Sequence, residues 1–104
     1  MSRQTLAVLA ALLEDPTRRH YGLEINRAAR LKTGSLYPIL ARLEDAGWLE
    51  GAWEEVDPAS EGRPRRRYYR LTGIGLSKAK AAWGDAMEQL GAPRLLPGGE
   101  RAAW

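Results

Sequence analysis

The chain has no cysteine and one histidine, His20, among its 104 residues. The first absence excludes disulfides and thiolate metal sites. The second leaves His20 without a partner imidazole, so a metal site built on it is not expected. No apolar run approaches the length of about 20 residues that crosses a bilayer. Met1-Ser2-Arg3-Gln4-Thr5 opens directly into a helical pattern without a cleavage site, so neither a membrane segment nor a signal peptide is expected. The expected compartment is the cytoplasm. A third glycine and a βαβ unit are missing around Gly73-Ile74-Gly75, which excludes a dinucleotide loop. Glu54 and Glu55 fall on opposite faces of a strand and cannot share a substrate. With no nucleophile, base and orienting group in one pattern, the chain is not expected to be an enzyme and has no expected cofactor.

Surplus charge is also scarce. Sixteen basic and 13 acidic residues leave a net charge of only +3. Yet residues 62–70, Gly62-Arg63-Pro64-Arg65-Arg66-Arg67-Tyr68-Tyr69-Arg70, hold five arginines and no acid. Concentrating positive charge on one small element costs self-repulsion, and an anionic polymer is the partner that offsets it.

The length fits one domain with a modest core. Its pattern predicts a mainly α, α+β chain. Leu6, Leu9, Ala10 and Leu13 share one face of a helix over 3–14, and Ala7, Val8, Ala11 and Leu12 cover much of the rest, so this helix wants contacts on two sides. Asp15-Pro16 ends it. A short helix over 20–30 carries Leu23, Ile25, Ala28 and Ala29, with Arg27 and Arg30 toward its C-terminus. A third helix over 33–46 buries Leu36, Ile39, Leu40 and Leu43, with Thr33 as the expected N-cap and Gly47 as the stop. Pro38 is expected where helix N–H groups still lack partners. Two strands, 51–56 and 66–71, flank the turn formers Asp57-Pro58-Ala59-Ser60-Glu61-Gly62 and predict a two-stranded hairpin. Thr72 caps a last helix to about Leu90. The remaining residues, 91–104, are expected to form a loose tail.

Helices two and three, joined by a short link, make a helix-turn-helix. The third helix fits the DNA major groove with its N-terminal residues nearest the bases. Lys32, Thr33, Ser35 and Tyr37 lie at that end, where hydroxyls and N–H groups suit phosphate oxygens. Pro38 and Arg42 also fall off the buried stripe, and Arg42 can reach a phosphate or a guanine edge, or pair with Glu44 or Asp45. The hairpin is then a wing whose Arg63, Arg65, Arg66 and Arg67 follow the backbone or enter the minor groove. Trp48 and Trp53 are expected in the core.

The last helix carries Leu76, Ala79, Trp83, Ala86, Met87 and Leu90 on a stripe about 21 Å long. Only the first helix remains to cover it within the chain. A second copy would supply the missing surface, giving an expected dimer interface of Leu6, Leu9, Leu13, Leu76, Ala79, Trp83, Met87 and Leu90. Trp83 reads first as dimer packing and second as an effector-stacking ring.

The blocks Tyr21-Gly22-Leu23-Glu24-Ile25, Thr33-Gly34-Ser35-Leu36-Tyr37-Pro38 through Leu49, and Arg66-Arg67-Tyr68-Tyr69-Arg70-Leu71-Thr72 with Gly75 resemble the PadR family of winged-helix transcriptional regulators. The resemblance covers roughly residues 6–90. It implies a winged helix-turn-helix over 1–72 and a dimerisation helix over 73–90. It implies a homodimeric repressor on double-stranded DNA and, for some members, a small aromatic effector between protomers. By this resemblance Ser35, Tyr37 and Pro38 face phosphates. A single helix after the wing is similar to the short branch of the family. The main rival reading is a winged helix that binds an acidic protein instead of DNA, and a second is a ligand sensor whose dimer cavity matters most. A polar, basic outer face on residues 32–42 favours DNA; an exposed apolar one favours protein.

Overall fold

The computed structural model describes residues 1–92, 96 and 97. Helix α1 (Arg3–Leu13) is N-capped by Ser2, whose hydroxyl accepts from the Thr5 N–H at 3.1 Å. Its apolar girth is used almost at once. Val8, Leu9, Ala11, Leu12 and Leu13 are all buried, and the helix touches α2 (Gly22–Ala29), α3 (Thr33–Asp45) and α5 (Gly73–Gln89). Together with Ile25, Leu36 and Leu40 they form the centre of the core.

The short helix begins two residues later than its pattern predicts. His20 and Tyr21 instead form β1, paired antiparallel with Tyr69 and Tyr68 of β3 (Arg67–Leu71). β3 also pairs with β2 (Leu49–Trp53), so the expected two-stranded hairpin is a three-stranded antiparallel sheet ordered β1-β3-β2. A two-residue strand has no periodicity to detect; only the free edge of β3 creates it. Arg30, in the left-handed conformation at φ 56°, closes α2.

Two details of α3 depart from expectation. Lys32, not Thr33, is the N-cap residue, and no side chain caps the helix. Lys32 is extended, and its carbonyl takes the Ser35 and Leu36 N–H groups. Pro38 is consequently the sixth helical residue, beyond the first turn, where it removes the bond to the Gly34 carbonyl. Gly47, at φ 79°, ends the helix, and the Trp48 N–H returns to the Leu43 carbonyl at 2.9 Å.

The turn-rich stretch after β2 contains a one-turn helix, α4 (Pro58–Glu61), capped by Asp57 and stopped by Gly62 at φ 68°. Thr72 caps α5: its oxygen accepts from the Gly75 N–H at 2.9 Å, and its hydroxyl donates to the Gly47 carbonyl at 2.6 Å. That second bond ties the start of α5 to the end of α3. Gly75 is required there, because a Cβ would stand 1.9 Å from the Trp48 carbonyl oxygen. Most of the expected tail lies outside the described residues. Of those described, Leu96 is buried in the core. No helix among the described residues is long and apolar enough to cross a membrane.

Candidate nucleic-acid interface

Burial of Leu36, Ile39, Leu40 and Leu43 sets the rotation of α3. Lys32, Thr33, Tyr37, Pro38 and Arg42 then face outward, and Ser35 is half-buried. The uncapped first turn leaves N–H donors for an anion at the positive end of the helix. Tyr37 is 43% exposed but not loose, since a Cβ on Gly22 would meet its hydroxyl at 2.8 Å. The ring rests against the first residue of α2 and needs that glycine.

The four wing arginines divide into two pairs. Arg63 binds the Glu54 carboxylate, which also accepts the Arg66 backbone N–H at 2.8 Å. Glu54 is only 5% exposed. The Arg63 guanidinium, and then the Arg66 N–H, hold its carboxyl below the usual glutamate range against the opposing effect of burial, while Glu54 raises Arg63 in turn. Arg67 reaches Glu44 of α3 at 3.1 Å, and its guanidinium lies 5.3 Å from the Trp53 ring centre and 5.7 Å from that of Tyr69. Arg63 and Arg67 are thus neutralised within the chain and half-buried.

Arg65 and Arg66 are the exposed pair. Arg65 donates through Nε to the Val56 carbonyl at 2.9 Å, leaving its outer nitrogens to solvent. Arg66 packs over Tyr21, 5.3 Å from the ring centre. Among the described residues, no carboxylate lies within salt-bridge distance of Lys32, Arg42, Arg65 or Arg66. The alternative pairing of Arg42 with Glu44 is not formed, since Glu44 holds Arg67.

Trp53 departs from its expected place in the core: it is 58% exposed. It lies at the last position of β2, opposite Arg67, whose guanidinium lies over the ring. Trp48, half-buried, does pack against the core. Between α2, α3 and the wing lies an open groove of about 640 Å³, lined by Tyr21, Tyr37, Trp53, Arg27, Arg65 and Arg66 among others. Sequence reasoning missed three of its organisers: Glu54, Glu44 and Tyr21. Each acts through a partner 9 to 45 positions away, and no local spacing signals that. His20 is buried, with Nε2 2.9 Å from the Asp15 carbonyl and Nδ1 3.3 Å from Arg18.

The stripe expected at a dimer interface is only partly available. Leu9, Leu13 and Ala79 are buried in the chain's own core. They cannot also offer surface to a second copy. Leu6, Leu76, Trp83 and Met87 are half-buried, and Leu90 is 75% exposed. Ile74, which the stripe did not include, is exposed as well.

Residues 8–81 match the model of the transcriptional regulator PadR-like family. Solved structures are similar over most of the chain. One is a Streptococcus mutans UA159 protein, 29% identical, covering 84% of this chain and 85% of that one with a TM-score of 0.63. Another is a PadR-like transcription factor from Bacteroides fragilis, 29% identical, covering 86% and 90%, TM-score 0.61. A third is a PadR family transcription regulator from Clostridium difficile R20291, 27% identical, covering 86% and 98%, TM-score 0.60. Among curated proteins none matches the sequence.

Proposed function

Because the chain belongs to the PadR-like family of transcriptional regulators, which are not enzymes, we propose that it is a dimeric repressor of a palindromic operator. The α3 face from Lys32 to Arg42 enters the major groove, with Thr33, Ser35, Tyr37 and Pro38 against phosphates. Arg65 and Arg66 hold the flanking backbone, and the groove between wing and helices receives it. The observation that carries this reading is that, among the described residues, Lys32, Arg42, Arg65 and Arg66 have no salt-bridge carboxylate, on the wing and on a helix whose N-terminus has no side-chain cap. Elsewhere on the wing, arginines are matched by carboxylates.

The polar and basic character of that face favours duplex DNA over an acidic protein partner. Two copies joined through Leu6, Leu76, Trp83, Met87, Leu90 and Ile74 would set recognition helices about 34 Å apart, one turn of B-DNA. A small aromatic effector would sit between protomers, with Trp83 as its reporter. Action on operator DNA places the protein in the cytoplasm. Duplexes selected from a randomised pool, followed by affinity measurement of the Arg65→Ala/Arg66→Ala variant, test the assignment. Weaker binding to all duplexes is expected; unchanged affinity overturns it.

A further inference from the structure

The outer face of the sheet carries a run of cations and rings of which the proposed operator contact uses only the Arg66 end. Arg66 lies over Tyr21; Tyr21 stacks on Tyr68 with ring centres 4.6 Å apart; Arg19 lies over Tyr68, 5.6 Å from its centre. The pairing of β1 with β3 brings the two rings side by side, and their hydroxyls bond to each other at 3.3 Å. Neighbouring Arg18 is spent on structure: it pairs with Asp15 and Glu24 and donates to the Arg19 carbonyl at 3.1 Å. Arg19 is thereby pinned by its backbone while its guanidinium stays exposed, and among the described residues no carboxylate pairs with it.

A guanidinium stacked on a ring uses its face and keeps its edge N–H donors for a planar or tetrahedral anion. Its side-chain ordering is largely complete before any ligand arrives, which lowers the cost of contact. Both ends of the run have this form, and the Arg66 end borders the groove assigned above to the DNA backbone. The three contacts limit the separation of the two guanidinium carbons to roughly 15 Å, or about four phosphates at 3.4 Å of axial rise per strand.

We propose that Arg19 is a second backbone anchor, gripping a phosphate of the duplex within about four base-pair steps of the one held by Arg66. This rests on the reading of the protein as a DNA binder. The Tyr21–Tyr68 pair is the spacer that fixes the distance between the two anchors. The contact carries no sequence information; it lengthens the stretch of DNA each protomer needs for full affinity.

The test compares wild type and Arg19→Ala on a pool-selected duplex and on the same duplex with its flanks trimmed by four base pairs on each side. On the long duplex, Arg19→Ala is expected to bind on the order of fivefold more weakly, with a salt slope shallower by about 1 per protomer. On the trimmed duplex the two proteins are expected to bind alike, while Arg66→Ala is weaker on both. Equal affinity on the long duplex overturns the proposal. An equal loss on both duplexes also overturns it, because Arg19 would then act by supporting the wing. Failure of the wild type to bind any duplex removes the DNA reading itself, and this anchor with it.

Discussion

The Arg67 guanidinium of β3 crosses the face of Gly51 to reach the Glu44 carboxylate of α3 at 3.1 Å. A Cβ on Gly51 would lie 2.6 Å from the guanidinium and 2.9 Å from the carboxylate. One missing methyl group therefore lets a wing arginine tie down the proposed recognition helix. An arginine that sequence position assigns to DNA thus joins the two elements proposed to face DNA.

Gly51→Ala should break that pairing without removing either charge. DNA affinity is expected to fall severalfold, and stability by about 1 kcal/mol, since the pair is only half-buried. Glu44→Gln should reproduce the affinity loss, and the double variant should add little to either. Titration of all three against one duplex, with thermal unfolding alongside, checks this; additive losses would show that the pairing does not operate.

Splitting the arginines by partner predicts two phenotypes. Arg65→Ala/Arg66→Ala should weaken DNA binding and lower the salt slope by about 1 per arginine while leaving the unfolding midpoint nearly unchanged. Arg63→Ala/Arg67→Ala should lower the midpoint, because each removal strands a carboxylate, Glu54 or Glu44, that is wholly or partly buried. The same unfolding midpoint in both variants would contradict the division.

The wing should also depend on pH through Glu54. Its folded-state carboxyl lies below the ordinary glutamate value, first because of the Arg63 hydrogen bond. A depressed folded value means that its contribution is complete above the ordinary glutamate range and is lost as pH falls through the lowered value. Fluorescence of the exposed Trp53 and protease cleavage within 55–66 should report loosening in that acid window. Glu54→Gln should be loose already at neutral pH and show no such transition.

The two ends of the apolar stripe should respond differently. Leu9→Ala removes a fully buried side chain and should cost about 2–5 kcal/mol of stability. Leu90→Glu alters an exposed side chain, 75% accessible, and should dissociate the proposed dimer while leaving each protomer folded. Sedimentation and thermal unfolding of both variants separate core from interface. A folded, still dimeric Leu90→Glu would remove Leu90 from the interface.

Gly75→Ala is expected to be the harshest small change. The 1.9 Å approach of a Cβ to the Trp48 carbonyl forces α5 off the sheet, at roughly 2 kcal/mol or more. Thermal unfolding measures the loss.

Periodicity and caps made the helices legible. The 3.6-residue spacing of Leu36, Ile39, Leu40 and Leu43 set which side of α3 faces out, and Thr72 and Gly47 marked ends where local geometry alone decides. The outward face from Lys32 to Arg42 was readable for the same reason, because each of its residues is placed by its own helix. What remained hidden depends on distance between chain positions. β1 exists only because β3 offers an edge. Trp53 is exposed at the last position of β2, although its aromatic character suggested the core. Leu9, Leu13 and Ala79 look the same in pattern as Leu6 and Leu90, but the chain's own core takes up the first three and leaves Leu6 half-buried and Leu90 exposed. The arginine run showed its charge in the sequence; only the fold decided that Glu54, Glu44 and Glu50 neutralise three of its five members and, among the described residues, leave Arg65 and Arg66 without a carboxylate. Charge is a property of composition, whereas free charge depends on which carboxylates packing brings within reach.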